Sequence, residues 1–543
     1  MSERPMERIE AVIVGAGFAG MYMLHRLRGL GIQAHVFEAG DGVGGTWYWN
    51  RYPGARCDVE SMQYSFAFSE ELQQQWNWSE RFAAQPEILE YANHVADRLG
   101  LRRGISFNTR ITAARFDEAS GEWHATTDTG RQVTARHLIL ATGCLSSARL
   151  PDISGIGDFA GKIYHTGQWP HEGVDFSGQK VAVIGTGSSA IQAIPVIARQ
   201  AAHLSVFQRT PNFSIPSRNG PMTEDYAQGW KQDYATRRRE AQQMRTGILY
   251  NLSRTPAMEV SEAERTAEYE ARWAAGGTAF MASFADLLTS KPANDTAAEF
   301  VREKIRAMVT NAEVAEILVP KNHPIGTKRI CVDTAYYETF NLKHVRLIDV
   351  RQSPIERVTA EGVAAGGETH AVDSIVFATG FDAMTGTILA IDIVGRDGVS
   401  MRDVWTDGPR THLGLMVAGF PNLFMITGPG SPSVLSNMIV SIEQHVEWVS
   451  DALAHLHRTR QAVMETTLPA QEEWVAHVNE VAHRTLYPQA NSWYMGANVP
   501  GKPQLFMPYV GGVGTYRQLC DEIAAKGYPG FRFTPERQAA AAE

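Results

Sequence analysis

Ile9 to Val14 is an apolar, β-branched run that stops at Gly15-Ala16-Gly17. A helical stretch follows, and then a second apolar segment, Ala34 to Phe37. Strand, glycine turn, helix and strand make a β-α-β unit. The pattern recurs further on. Lys180 to Gly185 reads as a strand, Thr186-Gly187 as the turn, a helix runs to about Arg199, and Leu204 to Gln208 is the next strand. Two copies of one unit predict two nucleotide sites. The expected fold class is α/β, with two Rossmann-like dinucleotide-binding domains.

Between about Pro221 and Pro320 the texture changes to Ala, Glu and Arg, with few β-branched runs. Ser261-x-x-Glu264 predicts a capping box opening a helix, and Asn294-Asp295 predicts another helix start. This block is expected to be a helical insertion. Strand-like segments return at Val345 to Leu347, Ser374 to Phe377 and Leu423 to Ile426, and a helix is expected over Ser441 to His455. Two apolar strands, in His137 to Gly143 and Asp373 to Gly380, each end in Ala-Thr-Gly, as where a chain leaves a nucleotide domain and returns to it. The expected division is residues 1–145 and 381–543 for a first nucleotide domain, 146–220 and 326–380 for a second, and 221–325 for the insertion.

The formal charge of -9 lacks the basic excess that a nucleic-acid surface needs. No apolar run reaches the roughly 20 residues that span a bilayer, so no membrane partner is expected. Cys57, Cys144, Cys331 and Cys520 are too few and too scattered for a disulfide framework, and a reducing, cytoplasmic compartment is expected. No metal-ligand spacing is present.

Gly15-x-Gly17-x-x-Gly20 stands at a strand-to-helix junction. Its glycines serve the tight turn, the approach of a diphosphate and close helix packing, and the helix N-terminus favours the anion. Glu38 closes the next strand, where an acid accepts hydrogen bonds from a ribose. The N-terminal position points to FAD, although the spacing alone also suits NAD. Gly185-x-Gly187-x-x-Ala190 repeats the motif, but its second strand ends in Gln208-Arg209-Thr210. An acid there would repel a 2′-phosphate and an arginine pairs with it, so this site is read as binding NADPH through Arg209 and Thr210. A disulfide reductase needs a dithiol pair beside the flavin, and no two cysteines here are close in sequence.

Phe159-x-Gly161-x-x-x-His165-x-x-x-Trp169-Pro170, just before the second glycine motif, resembles the fingerprint of the type I Baeyer-Villiger monooxygenases. Gly44-Gly45-x-Trp47, Tyr52-Pro53-Gly54 and Asp58 match a second pattern of that family. The resemblance runs from Ala11 to about Phe533. It is closest to the phenylacetone and steroid monooxygenase branch, as in Arg51 to Asp58, Gly428 to Ser433 and Trp493-Tyr494-x-Gly496-Ala497-Asn498. Related flavin monooxygenases that oxidise sulfur or nitrogen share the FxGxxxH part but usually continue with an aromatic-basic pair where this chain has Trp169-Pro170.

The resemblance implies an enzyme that uses FAD, NADPH and O2 to turn a ketone into an ester or lactone, through a flavin C4a-peroxide and a tetrahedral intermediate. Sulfur or nitrogen oxidation, or a redox-sensing role without turnover, are the alternatives. Arg329 matches the family's active-site arginine, Asp58 the carboxylate that orients it, and Lys328 a residue reaching the 2′-phosphate. Gly45, Thr46, Trp47, Trp49, Tyr64, Ile111 and Met438 are expected at the FAD. Arg56, Cys57, Thr186, Gly187, Ser188, Ser189, Gln192 and Trp493 are expected at the NADPH. Trp47, Trp49 and Tyr64 also suit plain core packing, and so does Trp493. His165 is expected as a hinge residue rather than a general base, and Ser433, Val434 and Leu435 as an apolar ketone pocket.

Overall fold

Residues 7–536 are described by the computed structural model. Glu7–Val14 lies between two parallel neighbours, Gln132–Leu140 and Ala34–Phe37, and Ile105–Ser106 continues the edge. In register, Val14 sits opposite both Phe37 and Leu140. Three strands therefore end level, and Gly15, Glu38 and Ala141 emerge side by side. The strand Gln132–Leu140 has two partners on its other side. Its beginning pairs antiparallel with Glu122–Thr127, and Leu138–Leu140 pairs in parallel with Leu423–Met425.

The second sheet is wholly parallel, in the order Val345–Asp349, His203–Gln208, Lys180–Ile184, Ser374–Phe377, Lys162–His165. Ile184 faces Phe207 and Phe377, so Gly185, Gln208 and Ala378 again emerge together. The Ala-Thr-Gly strands thus have a steric role. A Cβ on Gly15 would stand 2.7 Å from the carbonyl oxygen of Ala141, and one on Gly185 2.5 Å from that of Ala378. Both glycines also hold φ beyond +100°, at +102° and +112°, a region closed to side-chain-bearing residues.

The block after Pro221 folds as the helices Glu224–Lys231, Tyr234–Gln243, Glu262–Ala275, Lys291–Met308 and Ala312–Leu318. The capping box forms: Ser261 Oγ accepts from the Glu264 N–H, and the Glu264 carboxylate accepts from the Ser261 N–H. The second expected helix start is corrected. That helix begins at Lys291 with Ser290 as its cap and Pro292 in the first turn. Asn294 is buried inside it, where its amide donates to the carbonyls of Leu287 and Ile325 and accepts from the Ile325 N–H. Tyr269, Trp273, Phe280 and Phe300 seal these helices onto the second sheet's helix Ser188–Ala198 in one core, each buried aromatic contributing about 1.5–3 kcal/mol.

The connectors between the nucleotide domains run antiparallel beside each other. The Asp382 N–H donates to Ser147 O at 2.9 Å, the Met384 N–H to Cys144 O at 2.8 Å, and Ala148 bridges Phe381. The helix expected over Ser441 to His455 extends over Met438–Thr459 and buries its apolar face in the core shared with Phe18–Gly29. Among the described residues no helix is long and apolar enough to cross a membrane. All four cysteines are free and buried.

Candidate active site

Both glycine motifs open helices that lack a side-chain cap. Gly17 is the N-cap of Phe18–Gly29 and Gly187 that of Ser188–Ala198, and neither helix has a side chain on its first amides. Orphan N–H groups together with the helix dipole form an anion cradle. The Glu38 carboxylate, 5% exposed, accepts from the N–H groups of Ala16 and Gly40 at 2.7 and 2.8 Å, which locks it beside the first cradle. Gly20 packs its helix against Gly15, and a Cβ on Gly45 would stand 2.8 Å from the Gly17 Cα. Thr46 opens a short helix, Thr46–Trp49, whose Trp47 indole donates to the Tyr64 hydroxyl at 3.0 Å. Trp49 lies against Tyr48, 4.9 Å between ring centroids. Burial pushes the Tyr64 hydroxyl well above the usual tyrosine range, and the charges it senses include Asp58 and Arg329.

Arg329 and Asp58 meet as a fork. Arg329 Nε–H donates to Asp58 Oδ2 at 2.6 Å, Nη2–H to Oδ1 at 2.8 Å, and Nη1–H to the Val434 carbonyl at 2.7 Å. Burial works against the guanidinium charge, but Asp58 more than offsets it and holds the pKa above the ordinary arginine value. The cation is permanent at any working pH. Val434 belongs to the turn Ser433–Leu435, in which Ser433 holds φ at +40°. Ser433 Oγ sits 3.1 Å from Cys144 Sγ beneath the turn. Leu435, Met438 and Trp493 are half-buried around the same apolar cluster.

The second cradle approaches this pair. Ser188 Oγ is 3.3 Å from Cys331 Sγ, two residues beyond Arg329. Thr186 Oγ1 donates to the Thr210 carbonyl. The Tyr52 hydroxyl donates to Gln192 Oε1 at 2.8 Å, and Gln192 Nε2 donates to the Arg56 carbonyl at 3.0 Å, so a first-domain loop docks on a second-domain helix. Ser189 is a further neighbour of the Tyr52 hydroxyl. Arg56 itself pairs with Glu80, and Cys57 is buried. Lys328 and the exposed Arg209 come together from different segments. Burial first, and then the Arg209 charge, lower the Lys328 pKa. Among the described residues no carboxylate is shown ion-paired with either cation.

The fingerprint residues sit at the domain crossing. The Phe159 ring lies over Gly161, where a Cβ would be 2.6 Å from it. His165 Nδ1 accepts from the Gly167 N–H at 3.0 Å, and burial lowers the imidazole pKa, opposed by the Arg149 and Gly380 backbone. Trp169 is buried against Tyr164 and Phe176. Ile111, at the start of Ile111–Asp117, is buried in the core beneath the first sheet. One residue of the Trp493-Tyr494 motif is given no role by the sequence. Tyr494 is buried next to Trp493, 4.3 Å between ring centroids, in the apolar cluster that includes Val434.

The geometry defines a two-nucleotide oxidoreductase with a permanent cation near the meeting of its domains. Residues 12–244 match the family described as pyridine nucleotide-disulphide oxidoreductase. A Baeyer-Villiger monooxygenase of Pseudooceanicola batsensis is 41% identical over 96% of this chain and 95% of its own length. The acetone monooxygenase (methyl acetate-forming) of Gordonia sp. is 42% identical over 96% of this chain and 98% of its own. A solved structure of oxidized steroid monooxygenase bound to NADP is 50% identical, with a TM-score of 0.94, covering 98% of this chain and 100% of that one. The chain belongs to the Baeyer-Villiger monooxygenases.

Proposed function

We propose that Arg329, held by Asp58, is the fixed cation with which this FAD- and NADPH-dependent monooxygenase converts ketones to esters or lactones. The observation that carries the reading is the bidentate Arg329–Asp58 pair beside the Trp47–Tyr64 wall and the opening of the second nucleotide helix.

When bound, the flavin, reduced by NADPH, activates O2 and supplies the oxygen atom that is inserted beside the carbonyl. The chain's own residues do the positioning. The uncapped amides after Gly15 and Gly17 receive one diphosphate, Gly20 lets the helix close up, and Glu38 receives the ribose hydroxyls. Gly45, Thr46, Trp47, Trp49, Tyr64, Ile111 and Met438 line that cofactor's path. Thr186, Gly187, Ser188, Ser189 and Gln192 receive the second dinucleotide, with Arg56 and Cys57 along its course and Trp493 covering it. Arg209, Thr210 and Lys328 take the 2′-phosphate.

A guanidinium has five N–H donors, and three are committed to Asp58 and Val434. The remaining hydrogens are available to negative charge that develops on the substrate carbonyl oxygen. A preorganised donor of this kind contributes about 3–4 kcal/mol. Asp58 fixes the direction of the fork. Phe159, Gly161, His165 and Trp169 hold the domain crossing, with His165 as a hinge residue. Ser433, Val434 and Leu435 give the pocket an apolar wall and so favour an apolar ketone. Four free, buried cysteines support a cytoplasmic location.

The test is a panel of aromatic, cyclic, linear and steroidal ketones incubated with NADPH and O2 and read by product mass. Ester or lactone heavier than the ketone by one oxygen atom is expected. Oxidation of sulfides or amines with no ester from any ketone would replace this reading with sulfur or nitrogen oxygenation.

A further inference from the structure

Backbone strain converges on one buried cysteine. Three residues that are not glycine, and that nevertheless hold positive φ, bond to Cys144. Met384, at +68°, donates its N–H to the Cys144 carbonyl at 2.8 Å. The carbonyl of Thr427, at +58°, lies 3.1 Å from Cys144 Sγ, and Ser433, at +40°, places its Oγ 3.1 Å from the same sulfur. Positive φ is uncommon for a residue with a side chain and a genuine outlier for β-branched threonine. Such strain persists only where the surroundings over-determine it. The direction of each bond follows from what the groups can do. A carbonyl only accepts, so the thiol hydrogen goes to Thr427, and the Ser433 hydroxyl donates to the sulfur. Burial raises the thiol pKa and so keeps that hydrogen in place. Thr427 is also held from behind: its N–H donates to Nδ1 of the fully buried His445 at 2.8 Å.

We infer that Cys144 is a positioning residue for Arg329: its thiol braces Thr427 against Ser433 and so sets the Val434 carbonyl that receives the guanidinium. The inference rests on the assignment of Arg329 as the fixed cation. Thr427 and Ser433 are the two ends of the loop Thr427-Gly428-Pro429-Gly430-Ser431-Pro432-Ser433. The thiol closes this loop with one bond to each end. On its other side the Ser433 carbonyl accepts from the Ser436 N–H at 3.0 Å and from Ser436 Oγ at 2.7 Å, and Ser436 Oγ in turn lies 2.7 Å from Ser441 Oγ. Side chain and carbonyl of Ser433 are thus both committed, and the next carbonyl, that of Val434, meets Arg329 Nη1–H at 2.7 Å. Without the brace Ser433 can relax out of the left-handed region, which turns the peptide that follows and draws the Val434 carbonyl away. Asp58 then holds Nε and Nη2 by itself, and the guanidinium is free to tilt about those two bonds.

The experiment uses the FAD-loaded full chain and measures ester formed per NADPH consumed, with hydrogen peroxide as the complementary product of NADPH, O2 and a proton. This ratio is taken per turnover and so does not change with the fraction of folded enzyme. Cys144→Ala removes the brace. The ratio is expected to fall by about threefold to tenfold, the range for one lost hydrogen bond between uncharged groups, with the balance appearing as peroxide. Cys144→Ser puts a donor and an acceptor back in the same place and is expected to return the ratio to within about twofold of the parent. Ser433→Ala breaks the same brace from its other end, so the double variant Cys144→Ala, Ser433→Ala should be no worse than the poorer single one. An unchanged ratio in Cys144→Ala, even with a lower Tm, would make Cys144 a packing residue and overturn the inference. So would a Cys144→Ser variant as uncoupled as Cys144→Ala, or losses that multiply in the double variant. Arg329→Ala separates the two readings. If it retains ester formation, the assignment of Arg329 fails; if it loses ester while Cys144→Ala stays coupled, only the present inference fails.

Discussion

Arg329 and Asp58 stand 271 residues apart in sequence and join through two parallel hydrogen bonds of 2.6 and 2.8 Å. The side chains retain 31% and 20% of their exposure, so the pair borders a solvent-accessible space rather than a sealed core. A planar fork on a carboxylate fixes both the place and the plane of the guanidinium. Asp58 therefore sets where positive charge is presented.

Asp58→Asn keeps the side-chain shape and withdraws the charge. One Asn oxygen still accepts a hydrogen bond, but the second bond of the fork is lost and its amide hydrogens face a cation. The kcat/KM for ester formation is expected to fall by about 10²-fold, in the range seen when one preorganised donor is disturbed. Flavin content after gel filtration should remain that of the parent. A kcat/KM within twofold of the parent, about 0.4 kcal/mol, would show that the fork does not orient the arginine.

Arg209→Ala tests the second nucleotide site. Lys328 is near enough to sense the Arg209 charge, which with burial lowers its pKa, and a hydrogen bond to a charged group is worth about 1.5–3 kcal/mol. The ratio of kcat/KM for NADPH over NADH should drop by about tenfold or more, mostly through weaker use of NADPH. Equal losses with both nucleotides would remove Arg209 from the 2′-phosphate.

Glu443 links stability to pH. It is 1% exposed on the helix Met438–Thr459 and accepts hydrogen bonds from the Ala67 and Phe68 N–H groups. Burial lifts its pKa from 4.5 to about 7, with Arg238 pulling down and Glu447 pushing up. An acid with a raised pKa keeps its proton in the folded state while the unfolded chain releases it. Stability from this group is therefore full below 4.5, declines as pH rises towards about 7, and is level above that. Glu443→Gln retains the acceptor and removes the titration. Denaturant midpoints across that window should slope less in the variant than in the parent, and identical slopes would contradict the burial argument.

The glycine loops were legible in the sequence because their chemistry is local. A strand that ends in GxG must turn tightly, and the level ends of Val14, Phe37 and Leu140 are what β-α-β order produces. The capping box at Ser261 was legible for the same reason. Asn294 misled because Asn is a frequent helix cap; here its amide satisfies three buried backbone groups of Leu287 and Ile325, a tertiary demand with no local mark. Arg329 and Asp58 carry no local pattern at all, and only the family resemblance singled them out.

The most direct measurement is ester formation by purified Arg329→Ala with its flavin retained. Mass analysis should find FAD bound at the parent's level, NADPH still consumed, and ester reduced by at least about 10²-fold, the expected loss when a preorganised cation is removed. Parental ester yield from that variant would contradict the account, because the reaction would then proceed without the Arg329 charge.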